Sequence, residues 1–350
     1  MLSIYKNKKV FVTGHTGFKG SWLCSILETL GAETAGYSLE PYTVPSHFRL
    51  CNLLGKSTIG DISDSNLLTQ SIKLFKPDIL FHLAAQPLVR ESYKNPVNTY
   101  QTNVIGTLNV LEAIKSCESI KAVVIITTDK VYENKEWIYP YRENDQLGGY
   151  DMYSSSKACS ELLTSSFQRS YFNLKDYKKK HNVLFATARA GNVIGGGDWS
   201  TDRLFPDIVR ATVEKKITKI RNPNAIRPWQ HVLDCLQGYL LLGKKLLEEK
   251  EKFSGSWNFA PYSFESKTVE EVAVISKSVW ADIQIEFEKP EMDHHEATTL
   301  KLDNTKAISL LGWQPKWNTQ KAIEETISWY KAFYTNNYVQ TNEQINKYFV

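Results

Sequence analysis

The sequence has no apolar run long enough to cross a bilayer, and its start, Met1 to Lys9, is short, basic and followed directly by a strand. A secretion signal is therefore not expected there. CxxC spacing is absent, and the five cysteines (Cys24, Cys51, Cys117, Cys159, Cys235) are scattered and odd in number. That pattern argues against a disulfide framework and for reduced thiols in a cytosolic protein. Charge of one sign is also scarce. A net charge of +4 is too small to argue for nucleic acid, and the run Lys178-Lys179-Lys180 reads as a solvated helix end. Repeats and low-complexity segments are missing. His294 and His295 sit among Glu291, Asp293 and Glu296, but adjacent histidines do not share a helix face. An exposed loop is expected there, and no metal site.

What is present is an ordinary globular composition, 42% hydrophobic and 23% charged over 350 residues. Short apolar runs alternate with longer amphipathic ones. Strands are expected at Val10 to Thr13, Thr34 to Tyr37, Thr58 to Asp61, Ile79 to Ala85, Ala122 to Ile126 and Val183 to Ala190. Helices are expected at Gly20 to Leu30, Leu67 to Phe75, Asn98 to Lys115 and Asp151 to Phe172. This alternation predicts an α/β fold, a doubly wound parallel sheet of the Rossmann type. After Gly191 the pattern changes. A helix at Leu204 to Lys215 and a closing helix from Thr319 to Phe333 predict a smaller α/β substrate-binding lobe, while the apolar helix at Val232 to Leu247 and the strand at Ser256 to Ala260 are expected to belong to the sheet layer. The expected division is 1–191 with 230–262 for the dinucleotide-binding part, and 192–229 with 263–350 for the lobe.

Gly14-His15-Thr16-Gly17-Phe18-Lys19-Gly20 follows the first strand and opens the first helix. Glycines in such a turn let the backbone approach a pyrophosphate at a helix amino end. Dinucleotide binding is the expectation. Asp61 either accepts from an adenine amine or caps the following helix. Leu83-Ala84-Ala85 ends the fourth strand with small residues beside a flat ring. The acidic residue expected after the second strand is missing, and Tyr37-Ser38-Leu39 stands there instead. His15 and Lys19 are read as positive charge near the adenosine ribose. NAD is the first choice, with NADP open.

Thr127-Thr128-Asp129-Lys130-Val131-Tyr132 sets a hydroxyl, a carboxylate and an amine at the carboxyl end of the fifth strand. Ligands of open α/β sheets bind at that edge. Tyr153 and Lys157 lie four apart on one helix face. A nearby cation is expected to bring the phenol well below its free pKa of about 10, so that it acts as a base. That pair oxidises or reduces an alcohol. The added acid and amine call for a second proton transfer. His82, inside a buried strand, reads as a satisfied core histidine.

These residues resemble the extended short-chain dehydrogenase/reductase superfamily over nearly the whole chain, and within it the CDP-glucose 4,6-dehydratases. The resemblance is carried by GHTGFKGSWL at 14–23, HLAAQPLVRESY at 82–93, TTDKVY at 127–132, YSSSK at 153–157, RAGNVIGGGDW at 189–199 and NPNAIRPWQHV at 222–232. It implies a cytoplasmic NAD enzyme acting on CDP-glucose in deoxysugar biosynthesis of the O-antigen type. Tyr153, with Lys157 beside it and Thr128 on the sugar, would take the C4 hydroxyl proton. Asp129 would act as general acid for the departing C6 hydroxyl, which requires a raised carboxyl pKa. Lys130 is either the C5 base, which requires a neutral amine, or an electrostatic group. Gln86, Asn192, Arg203 and Arg227 are candidates for sugar and diphosphate, since arginine's fork suits phosphate oxygens. Asn103 either orients backbone near the site or caps a kink. A 4-epimerase would use Tyr153, Lys157 and NAD without Asp129-Lys130. Apolar residues on more than one face of the Asn98 and Asp151 helices predict a homodimer through a four-helix interface, which could pair again into a dimer of dimers.

Overall fold

A computed structural model describes residues 2–53, 55–220, 222–262, 265–287 and 300–349. His294, His295 and their acidic neighbours lie outside the described residues. Seven strands form one parallel sheet: β1 (Lys9–Thr13), β2 (Glu33–Ser38), β3 (Lys56–Ile59), β4 (Ile79–His82), β5 (Ala122–Ile126), β6 (Leu184–Ala190) and β7 (Gly255–Phe259). Their order is β3-β2-β1-β4-β5-β6-β7. The direction of winding reverses between β1 and β4, so a crevice opens at the carboxyl ends of those two strands.

Central parallel strands are apolar on both faces because helices cover both. On one face Val10, Val12, Phe81, Val124 and Ile126 pack against α1 (Phe18–Thr29) and α6 (Val232–Leu247) through Trp22, Leu23, Leu236 and Leu240. On the other, Phe11, Leu80, Val123, Ile125 and Phe185 meet α2 (Ser65–Phe75), α3 (Gly106–Lys115) and α4 (Met152–Tyr171). The sequence expectation of a helix and a strand returning to the sheet layer matches α6 and β7.

Around the carboxyl edge lie α5 (Leu204–Val213), α7 (Val269–Val279), α8 (Thr319–Asn336) and α9 (Thr341–Phe349). With them come three two-stranded pairings, among them Asn192–Ile194 with Trp229–His231. The fold is thus the expected doubly wound sheet with a smaller α/β lobe. Two elements differ from the sequence reading. The helix expected over Asn98 to Lys115 widens into a π turn at Gln101–Ile105, closed by Gly106 N–H donating to the Gln101 carbonyl. A closing helix was expected to end near Phe333, but the chain runs to Asn336, turns at Asn337 in the left-handed region and adds α9. A nine-residue helix is marginal alone. Tertiary bonds hold it: Tyr348 O–H donates to Asp234 Oδ1 at 2.5 Å, and the Thr341 hydroxyl meets His47 Nε2 at 2.8 Å.

Candidate active site

The glycine turn fits a dinucleotide by its close packing. Gly14 has φ +76°, and a Cβ there would meet the Ala84 nitrogen at 2.6 Å. A Cβ on Gly20 would sit 2.0 Å from the Gly14 carbonyl oxygen. The turn, Leu83, Ala84 and the start of α1 therefore form one tight cradle, with Gly17 at the helix N-cap and Phe18 as its first residue. Ala85 and Gln86 follow on the chain, half-buried.

His15 and Lys19, read as positive charge near the adenosine ribose, both turn into the protein. The His15 ring lies against Gly36, where a Cβ would come within 2.2 Å of it, and its Nε2 meets Ser57 Oγ at 2.6 Å. Burial pulls this imidazole down to about 4, so it is neutral. Lys19 turns toward α6, its ammonium 5.8 Å from the Tyr239 ring centroid. Burial lowers its pKa, and Asp129 and Arg203 act on it, which puts it at the floor of the crevice. At the end of β2, Ser38 Oγ and Thr16 Oγ1 bond to each other at 2.8 Å. Asp61 lies past the end of β3. Its Oδ1 accepts from the Ser63 N–H at 2.8 Å, and Asp64 is the residue that caps α2.

Asn103 occupies the π turn and holds the loop after β4 by both backbone groups of one residue, Gln86. Its Oδ1 accepts from Gln86 N–H at 2.8 Å, and its Nδ2 donates to the Gln86 carbonyl at 3.1 Å and to Ser156 Oγ at 2.9 Å. Both sequence readings, orienting backbone and occupying a kink, describe it. The Gln86 side chain, expected on the sugar, turns inward to Thr99 Oγ1 (2.9 Å) and the Leu88 N–H (2.6 Å). Polar groups beside a loop are consumed in fixing it before they reach a ligand. His82 is the core histidine expected, bonded to Thr13 Oγ1 at 2.7 Å and Thr107 Oγ1 at 3.0 Å.

β5 delivers Thr128 and Asp129 to the crevice, and α4 delivers Tyr153 and Lys157. Asp151 caps α4 by accepting from the Ser154 N–H at 2.9 Å, which fixes the turn carrying Tyr153. Thr128 is the neighbour that most favours the Tyr153 phenolate, and Thr128 Oγ1 donates to Asp129 Oδ1 at 2.9 Å. Lys157 Nζ donates to the Ile126 carbonyl at 3.1 Å. Burial pushes the Asp129 carboxyl above the usual range, against the pull of Lys130, Thr128 and Arg227. A Cβ on Gly191 would meet Asp129 Oδ2 at 2.9 Å, so the end of β6 closes over the carboxyl. Lys130 is half-buried beside it.

One electrostatic expectation is reversed. Burial pushes the Tyr153 hydroxyl up to about 12, and burial with Lys19 pulls Lys157 down to about 7. Two buried groups are each driven toward neutrality, and the ammonium spends its bond on a backbone carbonyl. Thr128 and Arg203 are the neighbours that favour the phenolate. Arg203 pairs with Asp198 at 2.9 Å at the start of α5. Arg227 forms a short antiparallel pairing with Lys267 instead of an open loop. Asn192 is half-buried in the strand beside Trp229.

Among the described residues no three His, Cys, Asp or Glu side chains gather to hold a metal ion. No described helix is long and apolar enough to cross a membrane. Glu161 and Arg189, buried behind this site and paired at 2.8 Å, escaped the sequence reading. Their signal was available: Arg189 is a lone charge in an apolar strand, and Glu161 continues the four-residue spacing of Tyr153 and Lys157.

The sequence profile described as GDP-mannose 4,6 dehydratase matches residues 11–326. The CDP-glucose 4,6-dehydratase of Salmonella typhimurium is 50% identical over 333 residues, covering 95% of this chain and 92% of the relative. Two solved structures share the fold. The epimerase Mth375 of Methanothermobacter thermautotrophicus has a TM-score of 0.81 at 23% identity, covering 99% of this chain and 96% of that one. MoeE5, in complex with UDP-glucuronic acid and NAD, has a TM-score of 0.75 at 22% identity, covering 92% and 98%. With a profile match that runs from the first strand into α8 and 50% identity to a dehydratase over 95% of its length, the chain belongs to the GDP-mannose 4,6 dehydratase family.

Proposed function

We propose that the chain converts CDP-glucose to CDP-4-keto-6-deoxyglucose and water with NAD as a cofactor that ends the cycle unchanged. The observation that carries the dehydration is the Asp129 carboxyl, buried, raised in pKa and hydrogen-bonded to the Thr128 that also meets Tyr153. A carboxyl whose proton is held more tightly than in water is suited to donate it to a leaving hydroxyl. The 50% identical relative supports the sugar and the base.

The chain's own groups divide the work. Tyr153 receives the C4 hydroxyl proton, and Thr128 orients that hydroxyl. Lys157 holds positive charge beside the phenol. Asp129 protonates the C6 oxygen as it leaves. Lys130 takes the C5 proton or steadies the resulting enolate. Arg203, Arg227 and Asn192 face the sugar nucleotide. Gly14, Gly17, Phe18 and Gly20 would cradle the pyrophosphate of the dinucleotide. When bound, NAD supplies a hydride acceptor for C4 and a donor to C6. The neutral hydroxyls of Thr16 and Ser38 support NAD over NADP, since His15 is neutral and packed against Gly36 and Ser57 while Lys19 turns toward Tyr239. The chain divides, on this reading, into 1–191 with 230–262 for the cofactor and 192–229 with 263–350 for the sugar nucleotide. Its five unpaired cysteines fit the cytoplasm.

The test is a panel of CDP-, UDP-, dTDP- and GDP-glucose scored for a 4-keto-6-deoxy product that absorbs in strong base. Fastest turnover with CDP-glucose is expected. A 4-epimer formed without ketone from any of the four would replace the dehydratase reading with an epimerase.

A homodimer follows from a separate observation. Val97 and Ile105 before α3, and Leu162 and Tyr171 on α4, stay exposed, with Leu162 at 59%. Four such side chains on adjacent helices are more apolar surface than a sheet-covering helix pair leaves open. Light scattering at micromolar concentration should give twice the mass of one chain. A Leu162→Glu variant should shift it toward one chain.

A further inference from the structure

β5 and β6 are apolar toward α4 only as far as Ile125 and Phe185. Beyond them, the side chains on that face are Thr127, Thr187 and Arg189. A guanidinium at 2% exposure requires a carboxylate partner. Glu161 on α4 supplies it. Its Oε2 accepts from Arg189 Nη2 at 2.8 Å, Thr187 Oγ1 at 2.7 Å and Ser256 Oγ at 3.3 Å, and its Oε1 accepts from Thr127 Oγ1 at 2.5 Å. The other arm of Arg189 donates to the Tyr132 hydroxyl at 2.7 Å and to the Glu143 carbonyl at 3.0 Å. Tyr132 in turn donates to Asn258 Oδ1 at 2.8 Å.

This network grips both ends of the turn that carries the proposed acid. Thr127 precedes Thr128, and Tyr132 closes the segment after Lys130. Glu161 also stands one helical turn beyond Lys157 and two beyond Tyr153, on the same face of α4. Buried ion pairs are weak sources of stability compared with apolar packing. Its placement on the catalytic turn is what sets this pair apart.

We propose that Glu161 is a positioning residue: its carboxylate fixes the Thr128–Asp129 turn through Thr127 and serves as the counter-charge to the Lys157 ammonium. The inference rests on the dehydratase reading above. Burial works to raise the Glu161 carboxyl, yet Arg189 and the hydroxyl donors outweigh it and hold it below the usual range, so it is an anion. The groups facing Lys157 can be set out by element. Lys19 from α1 opposes its charge, Glu161 from α4 supports it, and His82 from β4 is pulled down to about 3, first by burial and then by Lys157, and so carries no charge. Tyr153 shares its helix face, and Arg189 from β6 lies behind Glu161. Activity that needs the ammonium is full below the Lys157 pKa and is lost as pH rises through it. Removing the carboxylate charge should move that loss to lower pH.

The experiment compares pH profiles of kcat for CDP-glucose dehydration. Glu161→Gln keeps the shape and removes the charge. Its alkaline limb should move down by about one pH unit, with kcat at neutral pH about tenfold lower and KM within threefold. Glu161→Asp keeps the charge but shortens the reach to Thr127. Its kcat should fall while the alkaline limb stays at the wild-type position. If Glu161→Gln does not fold, the pair Glu161→Gln with Arg189→Met leaves no unpaired buried charge and reads the same limb. An unmoved limb in the folded neutral variant overturns the inference alone. A wild-type protein that makes no ketone product removes the dehydratase reading and this inference with it.

Discussion

Tyr153→Phe should lose at least about a thousandfold in product formation, equivalent to about 4 kcal/mol, while CDP-glucose still binds. The ring is almost wholly buried, so phenylalanine keeps the packing and removes only the oxygen that meets Thr128. The large effect follows from that environment. In the protein alone burial pushes the hydroxyl up to about 12, so this oxygen becomes a base only where positive charge gathers around it. Arg203 acts on it in that direction, Lys157 and NAD are proposed to add to it, and no second hydroxyl on α4 stands in the same position: Ser154 and Ser155 are bound to Asp151, and Ser156 donates to the Tyr153 carbonyl. Turnover in this variant within tenfold of wild type would end the mechanism. Equilibrium dialysis with CDP-glucose separates a chemical loss from a binding loss.

Asp129→Asn should separate the first half of the reaction from the second. On the proposed reading, C4 oxidation uses Tyr153, Thr128 and Lys157. Departure of the C6 hydroxyl needs a proton, because hydroxide is a poor leaving group. Asparagine retains the shape under Gly191 and an acceptor for the Thr128 hydroxyl, at 2.9 Å in the native site. It delivers no proton. Mixing the variant with NAD and CDP-glucose should therefore build up the reduced-nicotinamide absorbance, and ketone product should appear at least about a hundredfold more slowly. A normal rate of product would assign the acid to another group. The pH dependence has a definite sign. A general acid works while protonated, so its contribution is present below the Asp129 pKa and fades as pH rises through it. Because burial raises that pKa, the working window extends higher than for a solvated aspartate.

The parallel sheet and both covering layers were legible in sequence, since each rests on a local period. Val123 and Ile125 alternate with Val124 and Ile126, and that alone assigns their faces. The fate of individual polar side chains was not legible. His15 and Lys19 sit in the glycine turn, yet one enters the core beneath Gly36 and the other reaches α6, because the residue across the layer decides where a long side chain finds room. Gln86 was read as a substrate group, but Thr99, thirteen residues further along the chain, claims its amide. α9 was missed for the same reason: its stability comes from Asp234 and His47, both far away in sequence.

The path of the chain has a mechanical consequence. It leaves the sheet after β6, comes back to lay down α6 and β7, departs for α7 and α8, and finishes with α9 fastened to α6 through Tyr348 and Asp234. The lobe is thus stitched to the sheet layer, with no single connector on which to swing. A rigid hinge opening would strain every described stitch at once, which favours small displacements of edge loops as the way in and out. Such a frame suits a catalyst whose helper molecule has to stay in place between two opposite transfers, because the same stitches that deny a wide mouth also slow its escape.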